Sequence, residues 1–314
     1  MTGLQISKDL KAYFENRDGE TLSIHSVFRE SLNLIGHDGE LITLLLPSKD
    51  IGPMSAIVPL NARELQQLQV DDVVEIHGSV LTFLKVNRVI DFSGTIIWNP
   101  DVKGRTKPLC SSKLVDRVEQ LKTVIQTEGQ MNGIAALISV LDFEETGLIK
   151  RTFSEPLNEY AEFIEDRIID LLDGYFKHDR ERILALIPRF VGFGQGLTPS
   201  TDDYLLGIMI SMIYDAKSRK QELKSIYQFT DEIARLVKGK TTKVSEEMIH
   251  HGAKGRVSER YRALVQAMFY DVKAPLERLC IDVLNTGSTS GTDFLFGVYC
   301  FNQLRLKWNR EGGI

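Results

Sequence analysis

The stretch GFGQGLTPSTDDYLLG, residues 192–207, decides how the second half of this 314-residue chain is interpreted. Three glycines in its first five residues lack the Cβ atom that restricts backbone turns. Thr198 is a good N-cap residue, and Pro199 suits the first helical position because its missing N–H would be unpaired there anyway. The stretch therefore predicts a tight glycine turn that leads directly into a helix.

The beginning of this helix is predicted to bind a small ligand. A helix start offers unpaired N–H donors and the positive end of the macrodipole, which together favour an anion. Asp202 and Asp203 would repel a bare phosphate, so Mg²⁺ or an amide-bearing ligand is expected between them and the anion. The alternative is a well-capped helix whose aspartates only complement its dipole.

A second stretch, TGSTSGTDFLFG at residues 286–297, repeats this design 90 positions later. Asp293 aligns with Asp203, and Gly297 aligns with Gly207. Glycine one turn after the aspartate lets another helix approach closely, so we expect the two helices to cross at these glycines. Both hydroxyl-rich helix starts then meet at a shared pocket, unless the repeat is only a duplicated helical hairpin.

This geometry selects the candidate site residues. The predicted catalytic residues are Asp202, Asp203 and Asp293. The residues predicted to bind substrate or phosphate are Gly194, Gly196, Leu197, Thr198, Ser200, Thr201, Ser288, Ser290 and Arg189. This interpretation requires no cofactor, although the carboxylates are suitable ligands for Mg²⁺.

The hydrophobic pattern divides the chain into two parts. Short β-branched and apolar runs from residue 20 to residue 98 indicate strands, whereas residues 110–314 show helical spacing. A polar, turn-rich stretch separates them near residues 99–108. We predict an α+β protein with a β-rich domain at 1–105, a small barrel or sandwich. Residues 106–314 form the α-helical domain that carries the motif and an internal pseudo-repeat.

Composition excludes several classes of protein. The net charge of −5 includes no basic block for DNA or RNA, and the apolar runs are too short to span a membrane. The N-terminus lacks a signal-peptide core, which favours a cytoplasmic protein. The three cysteines are isolated, so neither a zinc site nor a disulfide framework is indicated.

The segment TTKVSEEMIHHGAKGR, residues 241–256, is a further candidate. Glu246 and His250 are four apart on one helix face, as are Glu247 and His251, a spacing that suits a metal. Solvated pairs near a helix end explain the same pattern. Lys254 and Arg256, next to glycines, are possible phosphate contacts in this segment.

The paired motifs resemble those of a domain family that includes the AllH-type subunit of oxamate carbamoyltransferase. The likeness extends to residues 241–256 and to the position and size of the β-rich N-terminus. The family motif GxGLTPSGDD maps onto residues 194–203, with Thr201 in place of a glycine, which narrows the helix start.

The resemblance implies an assembly that transfers a carbamoyl group between oxamate and carbamoyl phosphate in anaerobic allantoin and purine breakdown. This chain would be one of several different subunits and would bind a small anionic substrate. Two other hypotheses stay open: a non-catalytic subunit that binds a small anion or acts as a scaffold, and a Mg²⁺-dependent hydrolase that uses the paired aspartates.

Overall fold

A computed structural model describes residues 1–101, 107–144, 146, 149–152 and 156–308. The chain forms two compact units, Met1–Lys103 with Arg256–Glu259 and Gly104–Gly255 with Arg260–Ile314. Nine strands lie in the described part of the first unit, whereas helices dominate the described part of the second. The predicted α+β class is confirmed.

The first unit is built on one curled sheet with the strand order β8-β7-β6-β2-β3-β4-β5-β1-β9. Its strands are β1 Gln5–Ser7, β2 Thr21–Val27, β3 Ser31–Ile35, β4 Leu41–Leu45, β5 Ser55–Ile57, β6 Val73–His77, β7 Val80–Phe83, β8 Arg88–Asp91 and β9 Ile96–Trp98. Two helices, α1 Lys8–Glu15 and α2 Ala62–Leu65, complete it. Most neighbouring strands are antiparallel, but β4 with β5 and β1 with β9 are parallel.

Curling of the sheet gives the unit a half-barrel form with its core inside. Leu22 and Ile24 on β2 alternate with less buried neighbours, as expected for a strand with one face toward a core. A bridge between Thr2 and Asp91 ties the segment before β1 to β8. Of the two predicted alternatives, the structure therefore resembles the barrel.

The second unit contains nine α-helices among its described residues. They are α3 Ser111–Glu128, α4 Glu159–Phe176, α5 Arg180–Phe190, α6 Ser200–Arg219, α7 Lys224–Val237, α8 Lys243–Ala253, α9 Glu259–Phe269, α10 Leu276–Leu284 and α11 Ser290–Trp308. A 3-10 helix at Ile134–Ser139 and a small hairpin, β10 Leu141–Phe143 with β11 Ile149–Arg151, lie between α3 and α4. No described helix is long and apolar enough to cross a membrane.

Helices α6 and α11 form the centre of this unit. Nearly every residue of α6 from Ser200 to Ser218 is buried, as are most residues of α11. Both sequences are apolar around the whole helix, which is typical of helices surrounded by others. Helices α3, α4 and α10 pack on α11, and α7 and α8 pack on α6.

The two central helices cross at the predicted glycines. A Cβ atom on Gly207 would lie 2.4 Å from the Phe294 carbonyl oxygen, and one on Gly297 would lie 2.1 Å from the Tyr204 carbonyl oxygen. Only hydrogen atoms fit at such separations, so the backbones are in direct contact. The helix beginnings, Ser200 and Ser290, are also 90 positions apart, which confirms the internal pseudo-repeat.

The repeat extends to the far ends of both helices. Asp215 on α6 and Arg305 on α11, again 90 positions apart, form a buried ion pair of 2.5 Å. Contacts at both ends show that the helices run in the same direction. Each end therefore brings equivalent positions of the repeat together.

Replacing either crossing glycine by alanine is expected to destabilise the helical unit. Gly207→Ala and Gly297→Ala force a methyl group against main-chain atoms, which cannot move aside without separating the helices. We expect a loss of about 3 kcal/mol or more in chemical denaturation. Gly94→Ala, where no atom lies within 4 Å of the added methyl, serves as the control with little change. Wild-type stability in both crossing variants would contradict the close approach.

Candidate functional site

The beginnings of α6 and α11 meet, as the sequence predicted. The hydroxyl oxygens of Thr198 and Ser290 lie 2.8 Å apart. Asp203 and Asp293, each in the first turn of its helix, are fully buried and interact electrostatically. The structure thus joins two aspartates and two hydroxyl-rich segments in one place.

The predicted cap of α6 is wrong by one residue. Pro199 occupies the N-cap position and the helix begins at Ser200, so Thr198 lies outside it. Pro199 makes no side-chain cap, and its carbonyl accepts the amides of Asp202 and Asp203 at 2.9 and 3.2 Å. The shift frees the Thr198 hydroxyl to contact Ser290.

The glycine turn depends on left-handed backbone conformations. The φ angles of Gly192, Gly194 and Gly196 are +81°, +125° and +91°. Residues with a Cβ atom rarely adopt positive φ angles. A Cβ on Gly192 would lie 2.5 Å from the Lys240 carbonyl oxygen, and one on Gly194 would lie 2.4 Å from the Ser200 nitrogen. Two of the three glycines are therefore required by space as well as by conformation.

Thr201 holds this turn against the helix. Its hydroxyl accepts the Phe193 amide at 3.1 Å, and its own amide donates to the Phe193 carbonyl at 3.1 Å. The side chain is fully buried. These contacts give Thr201 a structural function, because its side chain closes the turn that precedes α6.

Asp202 joins the glycine turn to α8. One carboxylate oxygen accepts the Gly192 amide at 2.7 Å, and the other accepts the hydroxyls of Thr241 and Ser245, the latter at 2.6 Å. Burial raises the pKa of Asp202, whereas these hydrogen bonds lower it. Both oxygens are occupied by protein donors, so Asp202 positions the turn.

Asp203 lies in a very different environment. Neither of its carboxylate oxygens has a hydrogen bond of good geometry among the described residues. Burial and then the charge of Asp293 raise its pKa well above the usual range, although the nearby hydroxyls of Ser290 and Thr198 oppose the shift. The group therefore favours its protonated form or requires a donor from outside the protein.

Asp293 is only partly satisfied. One oxygen accepts the Ala135 amide at 3.2 Å, while the other has no hydrogen bond of good geometry in the described part of the chain. Burial raises the pKa of Asp293 to about 6, against the opposing effect of the Ser200 and Thr289 hydroxyls. A Cβ on Gly133 would lie 2.9 Å from the same carboxylate, so this position also needs glycine.

Main-chain amides at the two helix starts are largely occupied. Those of Thr201, Asp202 and Asp203 on α6, and those of Gly291 and Asp293 on α11, all donate to main-chain carbonyls. Fewer donors remain for a bare anion than the sequence suggested. The open acceptors of Asp203 and Asp293 instead suit a ligand that donates hydrogen bonds, or a cation.

The remaining predicted residues lie around this pair. Ser288 is exposed in the turn before α11, and Leu197 is 43% exposed with its carbonyl accepting the Thr242 hydroxyl. Arg189 is exposed in the last turn of α5, where its carbonyl accepts Arg167. Among the described residues, none of these three side chains forms a hydrogen bond or ion pair with Asp203 or Asp293.

The charged residues of 241–256 have their own partners. Glu246 accepts the Gly239 amide, Glu247 pairs with Lys243, and Lys254 lies 2.7 Å from His250. In the first unit, Arg256 pairs with Asp9 and Asp101 at 3.1 Å each. Two carboxylates neutralise this arginine, which removes the reason to expect a phosphate there.

Comparison with known families adds an independent observation. A family model described as oxamate carbamoyltransferase subunit AllH matches residues 190–301, which include both helix starts. A second model, the AllH family N-terminal domain, matches residues 2–97. No solved structure matches the chain.

Asp202→Ala is expected to destabilise the protein. The change leaves the Gly192 amide and the hydroxyls of Thr241 and Ser245 without their acceptor in a buried place. We expect the loss of these hydrogen bonds to lower the free energy of unfolding by about 2–4 kcal/mol in total. Urea denaturation measures this change. Asp116→Asn, at an exposed position of α3, is the control. An unchanged denaturation midpoint for Asp202→Ala would refute the structural function.

Asp293→Asn is expected to stabilise the isolated chain at high pH. The folded-state pKa of about 6 lies above the unfolded value, so the contribution of Asp293 to stability is present at low pH and lost as pH rises through about 6. Asparagine imitates the neutral acid. Thermal unfolding should show a gain over wild type at pH 8 that shrinks toward pH 5. A gain independent of pH would argue against this titration.

Proposed function

This chain belongs to the AllH family of oxamate carbamoyltransferase subunits, and we propose that it binds the amide-bearing reactant of carbamoyl transfer through Asp203 and Asp293. The reaction is the transfer of a carbamoyl group between carbamoyl phosphate and oxamate. Its place in allantoin and purine breakdown, implied by the family resemblance, is part of the same proposal.

The observation that carries this proposal is the pair of buried, incompletely bonded carboxyl groups. Three carboxylate oxygens, both of Asp203 and one of Asp293, have no hydrogen bond of good geometry within the described chain, although hydroxyl groups lie near both carboxyl groups. A buried acceptor without a donor costs about 1–3 kcal/mol, more when it is charged. An NH₂ group supplies two donors, so an amide ligand relieves this cost when it binds.

The chemistry of the transfer matches these two groups. The oxamate nitrogen attacks the carbamoyl carbon, the new N–C bond forms, and the C–O bond to phosphate breaks, with phosphate leaving. The nitrogen must lose one proton. Asp293, with a pKa of about 6, is ionised at neutral pH and suits the acceptor of that proton. Asp203 remains protonated or hydrogen-bonded to the amide and orients it.

The phosphate half of the reaction needs positive charge from elsewhere. Among the described residues, the strongest electrostatic influences on Asp203 are burial, the neighbouring aspartates and hydroxyls, and those on Asp293 are burial, hydroxyls and main-chain amides. None of these influences comes from a lysine or an arginine. Two buried carboxyl groups repel phosphate. We therefore propose that a different subunit supplies the cationic residues that bind phosphate, and that the active site forms only in the assembly.

Magnesium is the main competing ligand for the same oxygens. Carboxylates and hydroxyls are oxygen ligands of the kind that Mg²⁺ binds, and Thr198, Ser200 and Ser290 lie beside the pair. A Mg²⁺-dependent hydrolase would be active as the isolated chain and would lose activity in EDTA. A scaffold subunit would tolerate loss of both aspartates.

The test is reconstitution of carbamoyl transfer with the purified partner subunits. Turnover of carbamoyl phosphate and oxamate is measured by colorimetric detection of the carbamoylated product. Asp293→Asn should lower kcat by about 100-fold or more, since removal of a proton acceptor has effects of this size. Asp203→Asn should also lower kcat, because it changes the group that orients the amide. Assembly, followed by size-exclusion chromatography, should be unchanged, and Asp116→Asn should retain full activity.

The outcomes separate the hypotheses. Transfer by the complex but not by the chain alone, with loss in both aspartate variants, supports the proposal. Full transfer in complexes that contain either variant would assign this subunit a scaffold function. Hydrolytic activity of the isolated chain that EDTA abolishes would favour the metal-dependent alternative.

A further inference from the structure

A cavity of about 710 Å³ lies in the helical unit near the other end of α6. Asp215 and Arg219, in the last turns of that helix, form part of its wall. Asp215 follows Asp203 by twelve residues, which corresponds to about 18 Å along a helix. The cavity is therefore separate from the aspartate pair described above.

Aromatic rings form much of the wall. Those that line it are Tyr175, His178, Phe229, Phe301 and Trp308. His178 stacks on Trp308 with ring centres 4.8 Å apart, and Tyr175 meets Phe229 edge to face at 6.3 Å. Flat faces of this kind favour a ring-containing ligand, and the volume is within the usual range for small-molecule sites.

Unused hydrogen-bond donors accompany the rings. The hydroxyl of Tyr175, a residue only 4% exposed, has no partner among the described residues. Burial raises the pKa of Tyr175, which keeps the hydroxyl protonated and able to donate. Nη2 of Arg219 is also buried without an acceptor in the described chain.

The charged side chains beside the cavity favour an anionic ligand. Asp215 is paired with two arginines, Arg305 at 2.5 Å and Arg219 at 3.1 Å, so this partly buried cluster carries one excess positive charge. Asp215 and Arg219 line the cavity, and Arg305 lies behind Asp215. Arg180, which lies over the Phe229 ring at 5.3 Å, is balanced by Glu232. Glu222 also lines the cavity but is exposed to solvent, where its charge is screened.

From this arrangement we propose that the cavity binds a small organic anion with a flat aromatic or heteroaromatic ring. The ring lies against the aromatic wall, and the anionic group lies beside Arg219, a lining residue whose side chain is 25% exposed. Neither the family description nor the proposed transfer reaction requires such a ligand. The site is independent of Asp203 and Asp293, and its ligand is a candidate effector of the subunit.

The chain contains its own reporter for this binding. Trp308 lines the cavity, and the other tryptophan, Trp98, lies in the first unit. In a Trp98→Phe background, quenching of Trp308 fluorescence is titrated with 8-anilino-1-naphthalenesulfonate. N-phenyl-1-naphthylamine, which has the same rings without the sulfonate, is the uncharged comparison. Calorimetric titration of the chain with its natural tryptophans gives the same comparison if that background fails to fold.

Substitutions then distinguish the cavity from general hydrophobic binding. Arg219→Gln should weaken binding of the sulfonate about tenfold, or about 1.4 kcal/mol, and leave the uncharged probe within about twofold. Ser225→Phe, which adds a ring at an exposed lining position, should weaken both probes. Arg235→Gln removes an exposed charge that is not among the cavity residues and should change neither. Equal affinities in Arg219→Gln and wild type, or undiminished binding in Ser225→Phe, would overturn the proposal.

Discussion

The direct contact of two helix backbones at Gly207 and Gly297 is the constraint on which the helical unit depends. Because no side chain separates the helices there, α6 and α11 run close together and both are enclosed by other helices. The same contact fixes their register. Residues that precede the glycines by four positions, Asp203 and Asp293, are thereby brought to one place.

One repeat produces two different environments at the two ends of this helix pair. At the beginnings, equivalent positions are both aspartate, and in this buried setting the charge of Asp293 raises the pKa of Asp203. At the far ends, the equivalent positions Asp215 and Arg305 have opposite charges and form a buried ion pair. An arrangement that keeps two buried carboxyl groups unsatisfied destabilises the protein, which is characteristic of functional sites rather than of packing.

The sequence predicted the helix crossing well because its signals are local and repeated. Glycine one turn after aspartate, twice, at a spacing of 90, indicated both the crossing and the meeting of the helix starts. The β-rich N-terminal part followed from alternating apolar residues, although sequence alone left barrel and sandwich undecided. The cap of α6 was misplaced by one residue, since Thr198 and Pro199 suit adjacent cap positions almost equally.

Contacts between distant segments were beyond sequence reasoning. Nothing in the motif distinguished Asp202 from Asp203. Thr241 and Ser245 nevertheless donate hydrogen bonds to Asp202, whereas Asp203 has no hydrogen bond of good geometry among the described residues. The partner of Asp293, the Ala135 amide, lies 158 residues away in a segment without a motif. The cavity beside Trp308 combines residues of α4, α5, α6, α7 and α11, and no one of these helices shows a local pattern that indicates a cavity.

Disulfide trapping across the two helix starts tests the central claim most directly. Thr198→Cys with Ser290→Cys replaces two hydroxyls whose oxygens are 2.8 Å apart, so the two sulfur atoms would meet at the same place. After mild oxidation, intact-protein and peptide mass spectrometry should show a cross-link between these positions in nearly all molecules. The pair Thr198→Cys with Ser288→Cys should form it poorly. Free thiols at positions 198 and 290 under the same conditions would contradict the convergence of the two helices.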